Sequence, residues 1–338
     1  MRIPVAASLR VAGTTPYYGA NGIQDYVEGY THDGEFILVA EDGANDLKNY
    51  PVKCVKGRIW VNNHAHVLQG KYACADNQFL AYAISQADIE SLLVGGGRAK
   101  LNAETLMDIE LLLPSKDEQI QIGHYIARLD NLITLHQRKY DKLNNVKKSM
   151  LEKMFPKNGS NVPEIRFKGF TEAWEQRKVR EVTDRYDNLR IPVAASLRVA
   201  GTTPYYGANG IQDYVDGYTH DGEFILVAED GANDLKNYPV KCVKGRIWVN
   251  NHAHVLQGKY DCADNQFLAY AISQADIESL LVGGGRAKLN AETLMGIDLL
   301  LPNKAEQIRI GKYLAQLDNL ITLHQRKPNF YTGGYYAE

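Results

Sequence analysis

The amino-acid sequence predicts an α+β protein in which two globular mixed α/β domains are separated by long antiparallel helices that form a coiled-coil spacer. Three observations support this prediction. One stretch of the chain occurs twice, each copy begins with short β-rich segments, and each copy then continues into a segment whose apolar residues recur every seven positions. The predicted architecture is therefore a pseudo-twofold repeat.

The repeat defines the domains. Residues 2–139 recur as residues 190–327 with ten differences, and eight of these follow residue 107 in the first copy. Copies of this length are domains and not solenoid units, which are about 20–50 residues long. Two copies of a domain in one chain imitate a twofold-symmetric dimer. Such a chain is suited to a partner that is itself twofold symmetric.

The composition is that of a soluble globular protein. The 338 residues are 45% hydrophobic and 23% charged, with a formal net charge of −2. This charge gives no indication of nucleic-acid binding by itself. No apolar run has the length of a membrane span or of a signal peptide, so we expect a cytoplasmic protein without a membrane partner. The four cysteines, which are predicted to be reduced core thiols, are Cys54, Cys74, Cys242 and Cys262.

Within the first copy, Asn21-Gly22 predicts a hairpin turn, because both residues accept positive φ. The apolar run 36–40 predicts a buried strand, and 58–68 is a second β-rich segment. Residues 76–93 have helical spacing.

A glycine-rich loop follows the helical segment. It leads into a short helix capped by Asn102, and residues 109–114 then predict a strand closed by proline.

A long helix is predicted next. Ser115 and Glu118 form a capping box, and Pro156 ends the apolar pattern. The helix of the second copy is shorter because it meets Pro328. If the two helices pair in antiparallel fashion, residues 306–327 face the distal half of 117–155. We therefore expect the stretch 118–133 to be exposed, or to be covered by another subunit or by a second copy of the chain.

The predicted boundaries are as follows. The segments are a first domain at 1–116, a long helix at 117–156, a linker and lead-in at 157–189, a second domain at 190–304, a shorter helix at 305–327 and a tail at 328–338.

Longer stretches carry a family resemblance. The segments EQIQIGHYIARLDNLITLHQRK (118–139), KKSMLEKMFPKNG (147–159) and VPEIRFKGFTEAWEQRK (162–178) look like the central region of the specificity subunits of type I restriction-modification systems. PYYGANGIQDY, FILVAEDGAND and IWVNNHAHVLQG resemble one class of the target recognition domain of that family.

The resemblance implies a DNA sequence-specificity subunit. Each recognition domain of that family reads a few base pairs of double-stranded DNA, and the helices set the distance between the half-sites. Modification subunits bring S-adenosylmethionine, and restriction subunits bring ATP and Mg. The chain itself would bind no cofactor and would not be an enzyme. With two nearly identical domains, we expect an interrupted palindrome as the target.

The sequence departs from the family pattern. The first copy has no counterpart of 161–189, the second helix has no counterpart of 140–155, and the tail matches nothing recognisable. The alternative interpretation is therefore a truncated, rearranged subunit that binds modification subunits without positioning DNA. A self-contained nuclease or methyltransferase is disfavoured, because we find no Walker A loop, nucleophile elbow, HExxH or Asn-Pro-Pro motif.

Candidate DNA contacts follow from residue chemistry. Amide and cationic side chains read base edges, while cations and main-chain N–H groups bind phosphates. The polar and aromatic hairpin could equally be a plain surface hairpin, and the glycine loop could be a flexible connector. The candidates are Tyr17, Tyr18, Asn21, Gln24, Asn62, Asn63, Arg98 and Lys100, with their counterparts Tyr205, Tyr206, Asn209, Gln212, Asn250, Asn251, Arg286 and Lys288.

Other motifs are read as structural. The single His-x-His at 64–66 lacks zinc-ligand spacing, and residues 41–46 lack the EF-hand pattern, so no metal is predicted. His136 and His324 are predicted to lie in the helix seam. The candidates for helix and subunit interfaces are Ile122, Ile126, Leu129, Leu132, Ile133, Leu143, Met150, Ile310 and Leu317.

Overall fold

A computed structural model describes residues 1–95, 99–157, 159–283 and 287–325. The chain divides into two compact units, unit 1 at Met1–Leu135 and unit 2 at His136–Glu338. The division falls inside the long helix, so unit 1 contains all but the last four residues of the first copy and about half of the long helix. Unit 2 contains the second copy and the segment that precedes it.

Unit 1 is built on a five-stranded sheet with the order β2-β1-β4-β3-β5. Neighbouring strands are antiparallel except β1 and β4, which are parallel. Its elements are β1 (Ala12–Gly19), β2 (Gly22–Val27), β3 (His32–Ala40), β4 (Val52–Val61), β5 (Ala65–Leu68), α1 (Asn77–Ser85), α2 (Ala103–Met107) and the start of α3 (Lys116–Met154).

Unit 2 repeats this sheet with one more strand, in the order β7-β12-β10-β11-β8-β9, and adds a two-stranded sheet of β13 and β6. Its elements are β6 (Glu175–Lys178), α4 (Val179–Val182), β7 (Thr183–Arg185), β8 (Ala200–Gly207), β9 (Gly210–Val215), β10 (His220–Ala228), β11 (Val240–Val249), β12 (Ala253–Gly258), α5 (Asn265–Ser273), α6 (Ala291–Met295), β13 (Asp298–Leu301) and α7 (Lys304–Gln325).

The local signals explain the first elements of each copy. The predicted hairpin is present, and Gly22 adopts a φ of 103° in its turn. The Asp76 carboxylate caps α1 by accepting a hydrogen bond of 2.8 Å from the Phe79 N–H. The helix predicted over 76–93 is shorter than expected, because α1 ends at Ser85 and only a 3₁₀ turn follows at Glu90–Leu92.

The long helix is confirmed over 39 residues, and it ends before Pro156 as predicted. Within unit 2, its residues 136–154 run antiparallel to α7. His136 and His324 bring their Nδ1 atoms to 3.0 Å, and Lys147 Nζ lies 2.5 Å from Asp318 Oδ1. The predicted pairing of α7 with the distal half of the long helix is therefore confirmed. Residues 326–327 and the tail lie outside the described residues.

The predicted strand after the short helix is present only in the second copy. There β13 pairs with β6, with Leu299 opposite Arg177. In the first copy, residues 109–113 form no strand. The prediction is wrong for that copy, because the partner strand β6 of the second copy lies in the segment that precedes residue 190.

Some of the predicted interface residues pack inside unit 2. Ile310 and Leu317 are buried, and Leu143 and Met150 pack against the same core, so these four are not free to contact another subunit. Ile122 and Ile126 are half-buried, whereas Leu129, Leu132 and Ile133 are exposed. A role of these last five in subunit contacts stays a prediction.

The cysteines are free thiols. The description of all four as core residues is wrong for Cys74, which is exposed. Among the helices of the described ranges, none has the length and hydropathy needed to cross a membrane.

Candidate nucleic-acid interface

The hairpin of β1 and β2 is fixed to a neighbouring loop by Asn21. The Asn21 side chain donates to the Gly43 carbonyl at 2.9 Å and accepts from the Asn45 N–H at 2.9 Å. Asn209 makes the same two hydrogen bonds in unit 2, each at 2.8 Å. Because both asparagines remain exposed, each lies at the surface of a rigid turn.

The tyrosines of the hairpin do not lie on the surface. Tyr17 is 1% exposed and Tyr18 is 7% exposed, so predicting them as DNA contacts was wrong. The Tyr17 hydroxyl accepts a hydrogen bond of 2.9 Å from the Val5 N–H. The Arg10 guanidinium lies 4.2 Å from the centre of its ring. The buried tyrosine therefore packs inside the domain and holds the hairpin against the segment that contains Val5 and Arg10.

The same correction applies to the tyrosines of the second copy. Tyr205 and Tyr206 are buried to the same extent as their counterparts, and the Tyr205 hydroxyl accepts from the Val193 N–H at 2.9 Å. Burial raises the pKa of Tyr206, so its hydroxyl stays protonated. These side chains stiffen the hairpin and are unavailable to a base edge.

Gln24 and Asn62 form a polar pair across the sheet. The Asn62 amide donates to Gln24 Oε1 at 3.4 Å, and its carbonyl oxygen accepts from the His64 N–H at 2.8 Å. Asn62 is buried, so it positions Gln24 and does not reach DNA itself. Gly19 makes the arrangement possible, because a Cβ atom there would lie 2.3 Å from Gln24 Nε2. Gln24 is exposed and remains a candidate for base contact.

The corresponding residues of unit 2 behave in the same way. The Asn250 amide donates to Gln212 Oε1 at 3.4 Å, and a Cβ atom on Gly207 would lie 2.2 Å from Gln212 Nε2. The DNA-contact prediction is thus corrected for the buried Asn62 and Asn250. Asn63 and Asn251 are exposed.

The glycine loops are described only at their bases. Arg98 and Arg286 lie outside the described residues. Lys100 closes the base of its loop through two main-chain hydrogen bonds of 2.9 Å with Val94, and its Nζ lies 3.0 Å from Glu41 Oε1. The Lys288 ammonium is paired with the Glu229 carboxylate at 2.8 Å, which raises the pKa of Lys288. Each lysine therefore carries a carboxylate partner within the chain, and a phosphate contact there stays a prediction.

Sequence reasoning missed an exposed apolar and aromatic set at the edge of the sheet. Ile23 and Tyr26 project from the edge strand β2, and Leu9 lies on a 3₁₀ turn before β1. They are 44%, 54% and 74% exposed, and their counterparts in unit 2 have nearly the same exposure. Apolar residues are ordinarily interpreted as core, and only their place on an edge strand reveals the exposure.

One cluster of unit 2 has the composition of a cation site. Asp187, Glu229 and His254 offer ligand atoms within 4.8 Å of one another. However, His254 Nδ1 lies 2.7 Å from Asp187 Oδ2, and its Nε2 lies 2.9 Å from a main-chain carbonyl oxygen. Arg190 and Lys288 each pair with Glu229. The carboxylates already face cationic and N–H donors, so the cluster is an ion-pair network.

Both copies of the repeat are similar to known proteins. The family model for the type I restriction modification DNA specificity domain matches residues 1–145 and 171–330. A putative type I restriction enzyme specificity subunit of Haemophilus influenzae is 44% identical over 146 residues, which are 43% of this chain and 38% of that protein. The MjaVIII specificity subunit of Methanocaldococcus jannaschii is 24% identical over 299 residues, which are 77% of this chain and 68% of that protein.

A solved structure shares the fold. The crystal structure of a type I restriction-modification S subunit from M. genitalium matches with a TM-score of 0.71 at 13% identity, covering 96% of this chain and 87% of that one. The chain spans little more than a third of the length of the Haemophilus relative, so that likeness concerns only part of the relative.

Proposed function

Because the chain belongs to the family of type I restriction modification DNA specificity domains, we propose that it is the DNA sequence-specificity subunit of a type I restriction-modification complex. The observation that supports this role is the repetition of one polar surface. Asn21 and Asn209 fix their hairpins through equivalent hydrogen bonds, and Gln24 and Gln212 are held by equivalent asparagines. Two identical surfaces are suited to reading the same bases twice.

The proposed target is an interrupted palindrome. If the units are related by a pseudo-twofold axis, as in a symmetric dimer, equal surfaces meet two half-sites in inverted orientation. The helices would set the spacing between the half-sites. Exposed Gln24 and Asn63, with their counterparts, would contact base edges.

The chain would supply specificity without catalysis. Modification subunits would carry S-adenosylmethionine and methylate the target, while restriction subunits would use ATP and Mg. Because the chain has a formal net charge of −2, we expect the lone chain to bind DNA weakly and with strong salt dependence. Modification subunits would then add phosphate contacts and tighten binding.

Mapping of methylated bases tests the proposal. Cells that contain this chain and a modification subunit of the same system should carry methylation at both halves of one inverted repeat. Two unlike half-sites would refute the palindrome. Footprinting of the reconstituted complex should protect both half-sites equally, and a complex that shows no sequence preference would refute the specificity role itself.

A second candidate is a rearranged subunit that binds modification subunits but no longer positions DNA. The exposure of Leu129 and Ile133 in the long helix favours this alternative, because they are 41% and 66% exposed and so unit 1 is less completely covered than unit 2. Their counterparts Leu317 and Ile321 are 8% and 7% exposed. A reconstituted complex that assembles but binds no DNA would support it. Sequence-specific binding by the same complex would exclude it.

A further inference from the structure

The hydrogen bonds that join Asn62 to Gln24 run in one fixed direction. The His64 main-chain N–H donates to Asn62 Oδ1 at 2.8 Å. A main-chain N–H can only donate, so the carboxamide oxygen of Asn62 has to face it, and the Asn62 amide nitrogen faces the other way. That nitrogen donates to Gln24 Oε1 at 3.4 Å. Gln24 therefore turns its oxygen towards the chain.

The amide nitrogen of Gln24 is left for an external partner. Among the residues that the structure describes, none accepts a hydrogen bond from Gln24 Nε2, and the side chain is exposed. Nε2 carries two hydrogens and accepts no hydrogen bond. Because Oε1 faces the buried Asn62, the free end of the Gln24 carboxamide presents donors only.

A β-bulge places this carboxamide above Gly19. The register of β1 and β2 shifts at Gln24, which has no partner in β1 and is the extra residue of the bulge. Bulges re-aim a side chain and are over-represented next to active sites. A Cβ atom on Gly19 would lie 2.3 Å from Gln24 Nε2 and 3.2 Å from Asn62 Nδ2. The amide can therefore lie in this position only because residue 19 is glycine.

Unit 2 contains the same arrangement. The His252 N–H donates to Asn250 Oδ1 at 2.8 Å, and the Asn250 amide donates to Gln212 Oε1 at 3.4 Å. Gln212 is exposed and is the extra residue of the equivalent bulge in β9. Asn250 is 4% exposed, so it is held inside the domain as its counterpart is. The outward end of the glutamine is therefore a donor in both units.

Base edges in the major groove differ in what they offer to an amide nitrogen. Guanine presents two acceptors, N7 and O6, and no donor. Adenine presents the N7 acceptor beside the N6 amino group, thymine presents the O4 acceptor beside a methyl group, and cytosine presents the N4 amino group. The usual pairing of glutamine with adenine needs both its nitrogen and its oxygen. A glutamine whose oxygen already faces a buried amide matches guanine best.

We propose that Gln24 and Gln212 each recognise a guanine by donating from Nε2 to its major-groove acceptors, and that Asn62 and Asn250 are the positioning residues that set this preference. The assignment rests on the proposed DNA-reading function and adds the base that each hairpin reads. Adenine and cytosine are rejected at this position because their amino groups meet no free acceptor on the glutamine.

The reconstituted complex and its mapped target provide the first test. Gln24→Ala identifies the base pair at which discrimination falls about fivefold or more, and we expect the parent to require guanine there. Replacing that guanine with 7-deazaguanine, which lacks the N7 acceptor, should weaken binding of the parent about threefold or more and leave binding of Gln24→Ala unchanged. Hypoxanthine, which keeps N7 and O6 and lacks only the minor-groove amino group, is the control and should bind like guanine.

Asn62→Asp tests the positioning role. A carboxylate has no amide hydrogens, so it accepts from the His64 N–H and also from Gln24, whose carboxamide then turns its nitrogen inwards and its oxygen outwards. An outward oxygen accepts from an amino group, so the preference at this position should change from guanine to adenine or cytosine. The half-site read through the unchanged Asn250 should keep its guanine and is the matched control, and Asn250→Asp should exchange the two results. A residue that only supports the fold would weaken binding without changing the preferred base.

The outcomes distinguish this proposal from the proposed function. A complex with sequence preference that requires a base other than guanine at the Gln24 position, tolerates every base there, or ignores 7-deazaguanine overturns the proposal and leaves the specificity function intact. A complex without any sequence preference overturns both. A folded Asn62→Asp chain that keeps guanine at both half-sites overturns the role of Asn62. If circular dichroism shows that this variant does not fold, the base-analogue measurements on the parent still decide.

Discussion

Glu118 and Glu306 hold the same position in the two copies of the repeat, yet only Glu306 is buried beneath an arginine. The Glu306 carboxylate accepts two hydrogen bonds of 2.7 Å from Arg166, whereas Glu118 is exposed. The same glutamate thus has a different energetic role in each copy. Arg166, which lies in the segment between the two copies, accounts for the difference because it pairs with Glu306.

Replacing Glu306 should destabilise unit 2 far more than the matched change destabilises unit 1. Glu306→Gln leaves Arg166 buried with an uncompensated charge, and loss of one partner of a buried pair costs about 3–5 kcal/mol. Glu118→Gln changes an exposed residue and should stay within about 0.5 kcal/mol. Urea unfolding measures both losses of stability when it is monitored by hydrogen exchange over 298–321 for unit 2 and over 109–135 for unit 1. Equal effects would contradict the assigned roles.

Ile133 and Ile321, which hold the same position in the two copies, allow the same comparison for an apolar side chain. Ile321 is 7% exposed and Ile133 is 66% exposed. Ile321→Ala should cost about 2–5 kcal/mol because it leaves a cavity between helices, while Ile133→Ala should be close to neutral in the lone chain. Thermal unfolding of the two variants is the measurement. A large loss for Ile133→Ala would show that unit 1 is covered in solution.

The sequence predicts the helices well, because their signals are local. The capping box, the seven-residue apolar pattern and Pro156 together define the long helix, and its pairing with α7 follows from the repeat. Residues 298–301 form a strand and residues 109–113 do not, although the two segments have nearly the same sequence. Only the distant partner strand β6 distinguishes them, so local patterns gave one prediction for two outcomes.

The candidate site was predictable only in part. Asn21 follows from the Asn-Gly turn, and its exposure agrees with that prediction. The burial of Tyr17 depends on Val5 and Arg10, which approach from a separate segment. The polar pairing of Gln24 with Asn62 joins β2 to the residue that follows β4, and β1 lies between these strands in the sheet, an arrangement that a single-sequence pattern does not reveal.

Lowering the pH should reduce the stability of unit 2, because its ion-pair network depends on ionised Asp187 and Glu229 carboxylates. Burial acts to raise the pKa of Asp187, but the hydrogen bond from His254 and the nearby Arg190 lower it overall. The pKa of Glu229 is likewise lowered by Lys288 and Arg190 against the effect of burial. Carboxyls with a lowered pKa in the folded state stabilise it fully above the unfolded values of about 3.9–4.3, and this stability is lost as the pH falls through the folded values.

Asp187→Asn tests that dependence. The free energy of unfolding of the variant should differ most from the parent near pH 6, and the difference should shrink as the pH falls below about 3.9, where the Asp187 carboxyl of the unfolded parent chain becomes protonated. Asp221→Asn, which changes an exposed carboxylate of the same unit, is the control. A constant difference across this range would exclude a titrating role for Asp187.

Thiol labelling should distinguish the cysteines of the first copy. Cys74 is exposed, whereas burial and the neighbouring Glu35 raise the pKa of Cys54 to about 12. Since the thiolate is the reactive form, iodoacetamide at pH 8 should modify Cys74 at least about a hundredfold faster than Cys54. Peptide mass spectrometry gives both rates, and Cys74→Ser should remove the fast phase. Rapid modification of Cys54 in the folded chain would contradict its placement.

The two glutamines of the hairpins should act on separate half-sites. If the units read inverted halves of one target, Gln24→Ala should reduce discrimination at one base pair of one half-site, and Gln212→Ala at the equivalent base pair of the other. A lost base contact costs about 1–3 kcal/mol of discrimination. The effects should add in the double variant, because the two contacts share no partner.

Binding of the reconstituted complex to targets substituted at each position provides the measurement. Gln86→Ala, which removes the same side chain at the end of α1, should leave the preference unchanged. Gly19→Ala should reproduce the loss, since its Cβ would displace the Gln24 amide without removing it. If a single variant weakens both half-sites equally, or weakens all sequences alike, the glutamines contact the DNA backbone or support the fold, and base readout must lie elsewhere on the repeated surface.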